Sequence, residues 1–84
     1  MQFTIYSKPN CSHCDQAKKL LTSKEMEYSE LIIDVGQDKD PSKTYVTVSD
    51  LKQKVPSAQS VPQIFVDDVH VGGLEGLRKY LQTV

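Results

Sequence analysis

The stretch Gln2-Phe3-Thr4-Ile5-Tyr6-Ser7-Lys8-Pro9-Asn10-Cys11-Ser12-His13-Cys14 changes its period half-way. Gln2 to Tyr6 alternates polar and apolar side chains, with aromatic and β-branched residues, and predicts a strand. Ser7-Lys8-Pro9-Asn10 is turn chemistry. Beyond it Cys14, Ala17 and Leu21 keep i, i+3, i+7 spacing, with Leu20 beside them and Lys18 and Lys19 on the wet side. A helix is therefore expected from about Ser12 to Ser23, and the two cysteines stand where strand hands over to helix.

Outward from this unit the order continues strand, helix, strand, strand, helix. Tyr28, Leu31, Ile32 and Ile33 suggest a second strand. Asp34 to Lys43, rich in Asp, Lys, Gly and Pro, is expected to be a loop. Thr47-Val48-Ser49-Asp50 has the form of a capping box opening a short helix from about Val48 to Val55, stopped by Pro56. Gln63-Ile64-Phe65-Val66 and Val69-His70-Val71 form a hairpin about Asp67-Asp68. Gly72-Gly73 breaks the pattern before a last helix that buries Leu74, Leu77 and Leu81. A strand–helix–strand crossover implies a parallel pair, and the hairpin adds an antiparallel one.

Size and charge narrow the function. A chain of 84 residues is one domain, 1–84, with a core only just large enough to sustain it. Ten Lys and Arg against 11 Asp and Glu leave a net charge of −1, so bulk charge gives nucleic-acid binding no support. No run approaches the roughly 18 apolar residues of a membrane span, and no secretory signal is recognisable at the start. The expected setting is a reducing cytoplasm.

There a lone Cys-x-x-Cys pair points to redox or metal chemistry. A closed zinc site wants four ligands, whereas only His13 stands by the pair and His70 is distant in sequence, so no metal is assigned. A structural disulfide across so short a loop would remove little unfolded-state entropy. At a helix N-terminus, unpaired N–H groups and the dipole favour an anion, and a thiolate is that anion and the reactive species. Cys11 is thus the expected nucleophile, and Cys14, one turn further in on the apolar face, the resolving thiol.

These features together resemble the glutaredoxin family, more narrowly its short bacteriophage-encoded members. The matching stretches are Tyr6-Ser7-Lys8, Cys11 to Lys18, Ser60-Val61-Pro62-Gln63-Ile64-Phe65-Val66 and Val71-Gly72-Gly73-Leu74-Glu75, and only residues 34–46 lie outside the likeness. The resemblance implies a thioredoxin-like α/β fold: a four-stranded mixed sheet, made of a parallel pair plus the C-terminal antiparallel hairpin, flanked by three helices. It implies a cis bond at Val61-Pro62 and a glutathione-dependent thiol–disulfide oxidoreductase, with glutathione as co-substrate and no permanently bound cofactor. The glutathione site it implies comprises Lys8, Cys11, His13, Val61, Pro62, Gly73, Leu74 and Glu75. In that reading the Val61 backbone pairs with the extended tripeptide like an added strand. The N–H groups of Leu74 and Glu75 receive the γ-glutamyl carboxylate, the Glu75 side chain faces the ligand ammonium, and Lys8 meets the glycyl carboxylate. Plainer roles stand beside these: Pro62 as a strand-start proline, Glu75 as a first-turn acid, Lys8 and His13 as solvated surface residues.

The chain departs from the family in places. Ser12-His13 stand where Pro-Tyr is commonest, Gly76 where a second acid is frequent, and Val48 and Ser49 where a basic or amide residue is usual. Two other readings compete: a thioredoxin-like electron donor reduced by a flavoprotein reductase, and a glutathione-ligated [2Fe–2S] cluster carrier. The expected partners are glutathione and protein disulfides, with ribonucleotide reductase as substrate by analogy with the phage-encoded members; the expected location is the cytoplasm, that of the host if the chain is phage-encoded. The protein is expected to be a monomer.

Overall fold

The computed structural model describes residues 2–83. Five strands and three helices follow in the order β1 (Phe3–Ser7), α1 (Ser12–Ser23), β2 (Tyr28–Ile33), β3 (Thr44–Val46), α2 (Val48–Lys54), β4 (Gln63–Val66), β5 (Val69–Gly72) and α3 (Leu74–Gln82). The sheet order is β3-β2-β1-β4-β5. β1 runs parallel to β2 and antiparallel to β4, and β4 and β5 form the antiparallel hairpin.

The expected four-stranded sheet has a fifth strand. β3 pairs parallel with β2 in the register Leu31↔Thr44, Ile32↔Tyr45 and Ile33↔Val46. Three residues are too few to display a period of two. What makes them a strand is the unpaired edge of β2, continued where the Asp34 N–H donates to the Val46 carbonyl at 2.8 Å.

Alternation along β1 and β4 assigns the two faces. Phe3, Ile5, Ile64 and Val66 meet Ala17 and Leu21 of α1 and Leu74, Leu77 and Leu81 of α3. On the opposite face Tyr6, Ile33 and Phe65 meet Leu51 of α2, Val55 at its C-cap, and Ala58. The helix boundaries have local causes. α1 ends in a Schellman motif: Glu25 takes the left-handed φ of 58°, its N–H donates to the Thr22 carbonyl, and the Met26 N–H donates to Leu21. The capping box of α2 is formed, with the Asp50 N–H donating to Thr47 Oγ1 at 3.0 Å and the Thr47 N–H to Asp50 Oδ2 at 2.9 Å. Asp67 and Asp68 both take positive φ, the requirement of the tight hairpin turn whose twist suits the flanking strands. No helix among the described residues is long and apolar enough to cross a membrane.

Candidate active site

The end of β1 delivers the chain into the turn before α1, where Asn10 takes a φ of 56°. Cys11 follows as the N-cap of α1, and its sulfur accepts the Cys14 N–H at 3.2 Å. A carboxylate or hydroxyl usually fills this place; a sulfur that takes an N–H there gains most when it carries negative charge. Cys11 and Cys14 are joined as a disulfide with Cα atoms 5.3 Å apart. Cys14 is wholly buried on the Ala17–Leu21 stripe, while Cys11 keeps 9% exposure.

The other wall comes from the segment before β4. The Val61–Pro62 peptide is cis, and the Val61 carbonyl oxygen lies 3.7 Å from Cys11 Sγ. Among the described residues the Val61 N–H has no backbone partner. Gln63 ties this segment down: its side-chain amide donates to the Ser60 carbonyl at 2.8 Å, and its Oε1 lies 2.7 Å from His70 Nε2 on the neighbouring strand.

A groove of about 310 Å³ brings together His13, Val61, Pro62, Gly73, Leu74 and Glu75, while Cys11 does not line it and reaches it only through the Val61 carbonyl. Lys8 does not line it. Lys8 is exposed and borders a second groove of about 340 Å³ beside α2, which Val61 also lines. The chain enters α3 through Gly72, at a φ of 110° that an L side chain rarely adopts. α3 begins without a side-chain cap, which leaves its first N–H groups for a ligand.

Three features of the site were not read from the sequence. Gly76 is a packing residue, because a Cβ there would fall 1.9 Å from the Val71 carbonyl oxygen, so α3 could not lie this close to β5. Glu75 is already engaged, with Arg78 Nη1 donating to its Oε1 at 2.7 Å, a pair that the i, i+3 spacing could have revealed. The Gln63–Ser60 and Gln63–His70 contacts have no sequence signal.

Beside the turn, Ser7 is the one buried polar residue among the described residues, at 1% exposure. Its hydroxyl donates to Glu30 Oε2 at 2.6 Å, and Lys18 Nζ donates to the same oxygen at 2.9 Å. Burial pushes the Glu30 carboxyl up, but the Ser7 hydroxyl and the Lys18 ammonium outweigh it and hold Glu30 below the ordinary carboxylate range. Burial likewise lowers Lys18, and the bond and charge of Glu30 more than reverse it, leaving Lys18 raised.

A glutaredoxin family model matches residues 3–71. The chain belongs to the glutaredoxin family. It is 40% identical over 73 residues to glutaredoxin 1 of Rickettsia bellii (strain RML369-C), covering 87% of this chain and 69% of that protein. The crystal structure of glutaredoxin 1 from Francisella tularensis complexed with cacodylate superposes with a TM-score of 0.74 at 26% identity, over 98% of this chain and 93% of that one. A buckwheat glutaredoxin–glutathione complex shares the fold at 23% identity, with a TM-score of 0.70 over 96% of this chain and 68% of that one. Family membership together with the Cys11–Cys14 pair makes this glutaredoxin a thiol–disulfide oxidoreductase with a thioredoxin-like fold.

Proposed function

We propose that this glutaredoxin draws its electrons from glutathione and reduces both protein disulfides and glutathione mixed disulfides by a dithiol mechanism, as a monomer in a reducing cytoplasm. The observation that carries this is the groove beside the disulfide, which gathers His13, Val61, Pro62, Gly73, Leu74 and Glu75 into one surface. The γ-glutamyl end of the tripeptide and its backbone have counterparts in this groove, and the glycyl end has one beyond it. The unpaired Val61 N–H and its carbonyl suit the backbone of an extended peptide. The uncapped start of α3 suits the γ-glutamyl carboxylate, Glu75 the neighbouring ammonium, and Lys8, in the second groove, the glycyl carboxylate.

In the reduced protein the Cys11 thiolate attacks a sulfur of the substrate disulfide. One S–S bond forms to Cys11 as the substrate bond breaks, and the first substrate thiolate leaves and takes a proton from water. Cys14 gives its proton to solvent, attacks the Cys11 sulfur, closes the Cys11–Cys14 disulfide and expels the second substrate thiolate. One glutathione thiolate opens the pair at Cys11 and a second releases glutathione disulfide, so two glutathiones reduce one substrate disulfide. With a glutathionylated substrate, Cys11 attacks the glutathione sulfur, and Cys14 is not required.

The test is a titration in glutathione redox buffers, with trapping of free thiols. The dithiol fraction should follow the ratio of squared glutathione to glutathione disulfide. Cys14→Ser should keep deglutathionylation of small mixed disulfides and lose most reduction of protein disulfides. A protein that equilibrates poorly with glutathione, yet is fully reduced by a flavoprotein reductase, would belong to the thioredoxin-like reading instead.

A further inference from the structure

The second groove, about 340 Å³ beside α2, is absorbed by the chemistry above only at Lys8. Its floor is apolar: Ile33, Leu51 and Ala58 line it from the α2-side core. Val35 and Val48 form its rim at 61% and 49% exposure, two of the three large apolar side chains that the described residues leave in water. Apolar side chains gathered about one concavity mark a contact surface more often than scattered ones do. The groove is also electrostatically one-sided. Lys8 and Lys52 border it, no carboxylate does, and neither lysine is in an ion pair among the described residues. Val61 borders this groove as well as the first, and its carbonyl is 3.7 Å from the Cys11 sulfur. A chain paired with the Val61 backbone therefore has both grooves within reach.

We propose that the α2-side groove receives the segment of a protein substrate that follows its reactive cysteine, and that it selects apolar side chains succeeded by a carboxylate. The inference rests on the reading that substrate pairs with Val61 as a strand. A glutathione with its γ-glutamyl end in the Glu75 groove has its C-terminal end directed towards Lys8. A protein chain running in the same sense carries its next residues over Ile33 and Leu51, at about 3.3 Å per residue. Their apolar surface leaves water there, and the carboxylate comes between Lys8 and Lys52. Lys52 stands one turn beyond Val48 on α2, so it serves a longer peptide than glutathione.

The experiment uses the reduced full chain and mixed disulfides that share one aromatic thiol. That thiol is the better leaving group, so Cys11 bonds to the peptide sulfur and releases a coloured aryl thiolate. Two capped tetrapeptides are compared, one with cysteine followed by two leucines and a glutamate, the other with cysteine followed by two serines and a lysine. The apolar–acidic peptide should react at least about fivefold faster, the scale of one exposed ion pair assisted by partial burial of the leucines. In Lys52→Glu and in Val48→Asp the preference should fall below about twofold, while a neutral hydroxyethyl aryl disulfide keeps its wild-type rate. Equal rates for the two peptides, a faster basic peptide, or a preference that survives Lys52→Glu would overturn the proposal. The glutathione reading fails separately, when the glutathionyl aryl disulfide reacts no faster than the hydroxyethyl one.

Discussion

On the α1–α3 face of the sheet, Phe3, Ile5, Leu21, Ile64 and Leu77 are sealed at 2% exposure or less, whereas on the α2 face the best-covered side chains, Ile33 and Leu51, keep 4%, and Val55, Ala58 and Phe65 keep 8%. The cause is coverage. Two helices of 12 and 9 residues lie over the first face, and a single helix of 7 over the second. The difference separates two tasks. The sealed face holds Cys14 and orients the start of α1; the looser face leaves apolar surface open beside Val61, where a substrate can reach it.

Truncations on the two faces should sharpen that contrast most. Leu77→Ala should cost about 4 kcal/mol and Leu51→Ala about 2, because a fully enclosed site relaxes less around the cavity. Urea unfolding midpoints measure both. Equal losses would mean that the α2 face is as tightly packed as its opposite and that the contrast is only one of coverage.

A smaller effect is expected at the edge of the sealed face. Glu30 is held below the ordinary carboxylate range, so its contribution is present above the unfolded pKa of about 4.3 and is lost as pH falls through the lower folded value. Glu30→Gln should cost about 1 to 2 kcal/mol at pH 7, as for a hydrogen bond to a charged group, and should flatten the acid limb of stability below about pH 4. Lys18 is raised, so its contribution is present at neutral pH and is lost as pH rises through its folded value. Stability of the variant that falls with acid as steeply as the wild type would remove Glu30 from this role.

The smallest effect concerns the first groove. Arg78→Ala should change stability by no more than about 0.5 kcal/mol, since the Glu75–Arg78 pair is exposed. It should lower the KM for glutathione, because Glu75 no longer has to leave Arg78 to meet a ligand ammonium. An unchanged or raised KM would show that the Glu75 carboxylate does not serve the ligand.

How far the sequence could be read follows from the range over which each signal acts. The strand–turn–helix about Cys11, the capping box at Thr47 and the Asp67-Asp68 hairpin rest on neighbours within four residues, and all three are formed. β3 went unread because its cause, an open edge on β2, lies more than ten residues away in the chain. The residues of the first groove came from motif likeness, and their assembly into one surface depends on how β4, β5 and α3 pack around α1.

The sequence by itself determined the alternation of β1, the apolar stripe of Cys14, Ala17 and Leu21, and the place of Cys11 at a helix start, since periodicity and capping are local physics. Only the tertiary structure decided that Gly76 must be bare where α3 meets Val71, that Arg78 occupies Glu75, and that Lys8 and His13 line different grooves, both bordered by Val61. Those outcomes depend on distances between segments far apart in the chain, and such distances are set when the helices dock on the sheet.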